Sequence, residues 1–218
     1  MIERGKSIVI EGNDGTGKST QVDMLKETLE REYRIRSVVI HEPDGPGISA
    51  EIRQVIKNGS LTRDATTNLL LFTASRHESN LFAEDMMLNG WWALKARDWS
   101  SSEAYQGGGE GLDPEFIRYV TRQFTTERYM NPDYKAILTL EDEVRRERIS
   151  SRGELENPDT FEQRGDDFQT EVNHTYRIIA EREGFDTINA SQTIEEVHLE
   201  IMQGLYAKNL LVPAIRRS

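Results

Sequence analysis

The feature that most constrains this chain is the octapeptide Gly12-Asn13-Asp14-Gly15-Thr16-Gly17-Lys18-Ser19. It fits the pattern GxxxxGK[S/T]. A short β-branched run, Ser7-Ile8-Val9-Ile10-Glu11, leads into it, and Val22, Leu25 and Leu29 recur after it at helical spacing. Strand, glycine-rich turn and helix in that order make an anion site. Backbone N–H groups curl around phosphate oxygens and the helix dipole adds positive potential. Lys18 reaches the β- and γ-phosphates, and the Ser19 hydroxyl can ligate Mg²⁺. Gly12, Asn13, Gly15, Thr16, Gly17, Lys18, Ser19 and Thr20 are therefore the candidate residues for a nucleoside triphosphate with Mg²⁺. The loop alone does not separate kinase, GTPase and motor ATPase. The chain has no Asn-Lys-x-Asp guanine-reading sequence, which counts against the GTPase.

The rest of the chain alternates between strand and helix. Ser37 to His41 reads as a second strand, broken by Glu42-Pro43-Asp44-Gly45-Pro46-Gly47, with Ile48, Ile52, Val55 and Ile56 marking the helix that follows. A long helical pattern runs from about 64 to 89 and stops at Asn89-Gly90 before a third strand, Trp91-Trp92-Ala93-Leu94. Gln106 to Gly111 reads as a mobile glycine-rich loop. Beyond it the pattern predicts a helix over 113–128, a strand over 135–140, and helices over 142–151 and 166–182. A strand over 186–189 and a helix over 193–208 complete it. The expected fold is α/β of the P-loop NTPase type: three layers, a five-stranded mostly parallel sheet with helices on both faces, and a short mobile lid. Residues 1–218 are expected to form a single domain, with the lid at about 148–164.

Composition narrows the function classes. With 27 Lys and Arg against 38 Asp and Glu the net charge is −11, which disfavours non-specific binding to nucleic acid or to an anionic membrane. There is no Cys, so disulfides, thiolate catalysis and Cys-ligated zinc are excluded. No run approaches the ~18 apolar residues of a membrane span, and the N-terminus leads directly into a strand pattern. A cytoplasmic protein without membrane attachment is expected.

Four further segments, in order, resemble the thymidylate kinases, nucleoside monophosphate kinases that make dTDP from dTMP. They are Glu42-Pro43-Asp44-Gly45 with Arg53; Leu69 to Arg76; Arg97 through Ser101 to Ala104-Tyr105-Gln106-Gly107-Gly108-Gly109; and Arg152-Gly153-Glu154-Leu155 with Asp159 and Phe161-Glu162. The resemblance covers nearly the whole chain and implies ATP as phosphoryl donor, Mg²⁺, a homodimer and a set of roles. Phe72 would stack on the pyrimidine and Arg76, four residues on, would donate to a base carbonyl. For Phe72 alone, a core position is the alternative. Glu42 and Pro43 would flank base and sugar, and Asp14 would accept from the sugar 3′-hydroxyl. Arg97, supported by Arg53, would grip the acceptor phosphate, and Ser101, Tyr105 and Gln106 would pack on base and sugar. The phosphate loop lacks a basic residue at Gly15 or Thr16, so the resemblance implies a lid arginine on the transferred group: Arg152 first, Arg148 second. Lys18, Arg97, Arg152 and Arg148 form the implied catalytic set. The long helix near 64–89 is the implied dimer face.

The chain departs from that family where an Asp usually precedes the arginine after the third strand: here Ala96-Arg97-Asp98-Trp99. Asp98 is accordingly expected to take over part of the Mg²⁺ role, beside Ser19. Asp44 and His41 also depart, as does the inserted Glu156-Asn157-Pro158. The alternatives these departures leave open are dUMP or a 5-substituted dUMP as acceptor, and a non-catalytic nucleotide-binding paralogue. A kinase acting on nucleotides within DNA is disfavoured by the charge.

Overall fold

The computed structural model describes residues 2–151, 161 and 164–212. Five strands, β1 (Ser7–Gly12), β2 (Ser37–His41), β3 (Trp92–Ala96), β4 (Tyr134–Thr139) and β5 (Asp186–Asn189), form one sheet in the order β2-β3-β1-β4-β5. Every neighbouring pair is parallel, so the expected mostly parallel sheet is wholly so. The helices are α1 (Lys18–Glu32), α2 (Ser49–Lys57), α3 (Ala65–Leu88), α4 (Trp99–Ser102), α5 (Pro114–Phe124), α6 (Glu127–Met130), α7 (Asp142–Ser150), α8 (Asp166–Glu183) and α9 (Ile194–Ala207), with a π-helical segment, Glu103–Gly109, after α4.

Strand alternation distributes side chains to two faces. Ile8, Ile10, Leu94, Ala136 and Leu138 pack on one side with Val22, Leu25 and Leu29 of α1 and Val197, Ile201 and Leu205 of α9. Ile137 points the other way, among Trp99, Tyr105 and the α8 residues Val172, Tyr176 and Ile179, while Ala93 meets Ala83 and Met87 of α3. A fully buried Leu or Val contributes roughly 1.5–3 kcal/mol, so α1 is anchored by its apolar face and not by its polar N-terminus. The sheet order puts β1 between β3 and β4, and the phosphate loop leaves its carboxyl end at the point where the chain switches sides, the usual ligand crevice of such sheets.

Two sequence expectations change. The helix over 113–128 is two helices, because Thr125 is extended (φ −129°, ψ −177°) and the Thr126 side chain caps α6 by accepting from Tyr129 N. More consequentially, the segment read as a glycine-rich loop is helical, and its glycines serve contact instead of flexibility. A Cβ on Gly108 would stand 2.0 Å from Thr175 Oγ1 and 2.9 Å from Thr175 Cβ on α8, and one on Gly109 would enter the Phe168 ring at 2.3 Å. The two helices approach so closely that only glycine fits. Gly108→Ala should therefore lower stability by about 1–3 kcal/mol, the usual overpacking cost, in urea unfolding; an unchanged midpoint would contradict the close approach.

Candidate active site

The phosphate loop is built from backbone. Gly12 ends β1 at φ 138° and lies so close to β4 that a Cβ would meet Leu138 O at 2.3 Å. Gly17, at φ 88°, caps α1. Inside the loop the Asn13 carbonyl accepts from Thr16 Oγ1 at 2.8 Å and from Lys18 Nζ at 2.9 Å, while Asn13 Nδ2 donates to Gln169 O on α8. The loop encloses a cavity of about 240 Å³ lined by Gly15, Gly17, Lys18, Ser19 and Thr20, among others. A second, of about 460 Å³, is lined by Pro43, Asp44, Arg53, Phe72, Arg76, Tyr105, Gln106 and Phe161. Asp14, Ser19, His41, Glu42 and Arg97 line both. The two cavities therefore meet at the Arg97 cation, two carboxylates, an imidazole and a hydroxyl.

Arg97 stands at φ 80°, a left-handed conformation that costs a non-glycine residue free energy and clusters at functional sites. Its NH2 is paired with Asp14 Oδ1 and its NH1 donates to Ser101 Oγ at 3.3 Å. Burial opposes its charge, but Asp14 beside it, with Tyr105, Tyr176 and Glu11, holds it protonated well above the ordinary arginine value. Burial likewise raises Asp14, yet Arg97, Lys18, the Tyr105 hydroxyl at 2.8 Å and Arg145 outweigh it and bring its pKa down to about 2. Asp14 is thus an ionised acceptor. Its depressed pKa contributes stability that is fully present above the ordinary value of 3.8 and is lost as pH falls through about 2. The contribution is about 2 kcal/mol before solvent screening. Between pH 4 and 2, Asp14→Asn should show a flatter decline in urea stability than the parent chain; parallel declines would refute the assignment.

Behind the loop, Glu11 is buried and accepts from Asp98 N (2.7 Å), Ser101 N (3.1 Å), Ser101 Oγ (2.8 Å) and Tyr176 OH (2.9 Å). Burial pushes its pKa up, with Asp98 adding to the effect. This one carboxylate ties the end of β1 to the turn that presents Arg97, a role sequence reading missed because Glu11 looked like an ordinary strand end.

The second cavity has an aromatic wall: Phe72 and Phe161 are 5.7 Å apart between ring centroids, and Tyr105 meets Phe161 edge-on at 5.8 Å. Phe161 was visible only as part of a lid match. Arg76 is 2 % exposed; its Nε donates to Glu42 at 2.9 Å, its NH1 to Ser102 Oγ and its NH2 to Asp98 O, leaving donors on both terminal nitrogens. Glu42 also accepts from Tyr129 OH, so its carboxylate orients Arg76. Gln106 Nε2 donates to Glu110, and its buried Oε1 has no partner among the described residues. Arg53 lies 3.5 Å from Asp44.

One expectation fails outright. Asp98 does not face the phosphate loop: its side chain is fully buried, one oxygen accepts from Ser100 N and the other lies 2.6 Å from Lys135 Nζ. It lines neither cavity. It is the counter-ion of Lys135 in the core, with both side chains fully buried. Arg148 lines neither cavity, and Arg152 lies outside the described residues. Arg145 of α7 lines neither cavity as well, but with Ile149 it packs on the loop, its Cγ 3.4 Å from the position of a Cβ on Gly15.

Against protein-family models, residues 10–201 match the family described as thymidylate kinase. The chain belongs to the thymidylate kinase family. By that membership it is a phosphotransferase, a nucleoside monophosphate kinase. Among curated relatives, the thymidylate kinase of Shewanella sp. strain MR-4 is 32 % identical over 206 residues, 93 % of this chain and 96 % of that protein. The thymidylate kinase of Rhodopseudomonas palustris strain TIE-1 is 35 % identical over 217 residues, 97 % and 92 % of the two chains. That of Exiguobacterium sibiricum is 34 % identical over 202 residues.

Proposed function

We propose that this protein transfers the γ-phosphoryl group of ATP to dTMP, giving ADP and dTDP, by direct in-line transfer without a protein nucleophile. The observation that carries this is the meeting of two cavities at Arg97, Asp14 and Ser19. Phosphoryl transfer needs alignment of two polyanions and neutralisation of charge on the equatorial oxygens, and little else from the protein. Lys18 leaves the Asn13 carbonyl for the donor's β- and γ-phosphates, and Arg97 holds the acceptor phosphate. Asp14 accepts from the sugar hydroxyl. Phe72 and Phe161 supply apolar faces for the base, the remaining Arg76 donors suit a base carbonyl, and the unpartnered Gln106 Oε1 suits a ring N–H. Tyr105 fixes Asp14.

Mg²⁺ fits this site as an ion carried by the nucleotide. Among the described residues no group of three or more His, Cys, Asp or Glu is placed to hold a metal, and Ser19 supplies one exposed hydroxyl oxygen at the loop. The ion, when bound, neutralises phosphate charge. The chain is taken as one domain, supported by its single sheet; most of the expected lid near 148–164, Arg152 included, lies outside the described residues. Leu70, Leu81 and Leu88, exposed along α3, support a homodimer through that helix. Among the described residues no helix is long and apolar enough to cross a membrane, in keeping with a cytoplasmic enzyme acting on free nucleotides.

The test is ATP-dependent diphosphate formation with Mg²⁺ across dTMP, dUMP, 5-hydroxymethyl-dUMP, dCMP, dGMP and dAMP, with products separated. A clear dTMP preference is expected. Product from another monophosphate in preference would overturn the choice of acceptor, and ATP and dTMP binding without product would make the chain a non-catalytic paralogue.

A further inference from the structure

Arg145 is a buried cation at the phosphate loop whose burial the roles above leave unexplained. It is 4 % exposed, on the first turns of α7, and its Nε has no hydrogen-bond partner. Among the described residues its guanidinium makes no hydrogen bond or ion pair. A buried charge without a partner is costly, and other buried cations of this chain avoid that cost: Arg76 has Glu42, and Lys135 has Asp98. The stem of Arg145 lies against Gly15, with its Cγ 3.4 Å and Ile149 Cγ1 3.5 Å from the position of a Cβ there. The loop at that point carries no side chain, and α7 covers it.

We propose that Arg145 is a phosphate-binding residue that reaches across Gly15 to the terminal phosphate of the donor, supplying from α7 the positive charge that the loop itself lacks at that position. The inference rests on reading the loop as the ATP site. Lys18 approaches the same phosphates from α1 and Arg97 approaches from the acceptor cavity, so Arg145 completes the charge around the transferred group from a third side. Its charge is, after those of Arg97 and Lys18, one of those that hold the Asp14 carboxyl down. That influence also defines the rival role, a plain counter-ion to Asp14, which would serve nucleoside di- and triphosphates alike.

The two roles separate in a binding experiment on the full chain. The β,γ-imido analogue of ATP and ADP, each with Mg²⁺, are titrated calorimetrically into the parent chain and the variants R145M and R145K. Methionine keeps the stem against Gly15 and removes the charge; R145Q replaces it should R145M not fold. Loss of a charge-assisted contact to the terminal phosphate should weaken the triphosphate analogue by about tenfold or more. ADP affinity should change by less than about twofold, and R145K should recover most of the loss. In turnover, kcat should fall while the KM for dTMP holds. Equal weakening of both nucleotides, or no weakening of either, would overturn the proposal and leave the ATP site standing. A parent chain that binds neither nucleotide would overturn the ATP site as well.

Discussion

Lys18→Ala should lower kcat by roughly 10³-fold or more, the order seen when a cation on a transferring phosphoryl group is removed, with the urea midpoint nearly unchanged. Both halves follow from where the residue stands. Lys18 is the first residue of α1, its Nζ 2.9 Å from the Asn13 carbonyl and 3.9 Å from Asp14. The helix itself is set by Gly17 at its start and by Val22, Leu25 and Leu29 in the core. Removing the ammonium thus leaves the packing that forms the loop. On the transferred phosphoryl, by contrast, charge grows toward the transition state, and a fixed cation in a partly dehydrated cleft is worth far more there than in water. Lys18→Arg should not rescue, since a planar fork is no substitute for a compact ammonium in a loop of this size. Single-turnover rates with dTMP and circular dichroism of the variant decide it. A Lys18→Ala protein within tenfold of the parent rate would falsify the role.

Much of this arrangement was legible in the sequence. The phosphate loop was readable because its glycines, lysine and hydroxyl are tied to fixed backbone geometry. The strands Ser37–His41 and Asp186–Asn189 were readable because short apolar runs between turn signals leave few alternatives. Phe72 and Arg76 were placed together by helical spacing, and the structure puts both on the second cavity. What sequence concealed was long-range. Glycines at 107, 108 and 109 signal flexibility by composition, but α8, some sixty residues later, uses the last two as a contact surface. Arg145, Arg148 and Arg152 are alike as letters on a charged helix. Only the packing of α7 on Gly15 distinguishes the first. Glu11 and Asp98 look like surface carboxylates beside the loop, and whether each turns toward a ligand or into the core depends on partners at 135 and 176 that no local pattern announces.

The fate of Asp98 has the second large consequence. Its pair with Lys135, at 2.6 Å with both side chains fully buried, is braced by Ser100 Oγ, which accepts from Lys135 at 2.6 Å, and by the Trp99 and Phe185 rings about the ammonium at 4.3 and 4.4 Å. Asp98→Ala therefore strands a buried cation, and the expected cost is about 3–5 kcal/mol, a large share of the ~5–15 kcal/mol that holds a domain together. Asp98→Ala with Lys135→Met, which removes both charges and keeps an apolar stem among the rings, should recover most of it; urea unfolding of the four chains measures the coupling. Activity should follow geometry. The turn that carries Arg97 at positive φ is held by Asp98 N on Glu11, by Ser101 N and Arg76 on Asp98 O, and by the Asp98–Lys135 pair beneath it. Loosening it should lower kcat and raise the KM for dTMP together, while the Mg²⁺ concentration for half-maximal rate stays put. A metal role predicts the reverse pattern: a higher Mg²⁺ requirement, a rate restored at saturating Mg²⁺, and no loss of stability. Since the two outcomes differ in three independent readouts, they separate a buried counter-ion that braces the Arg97 turn from a metal ligand.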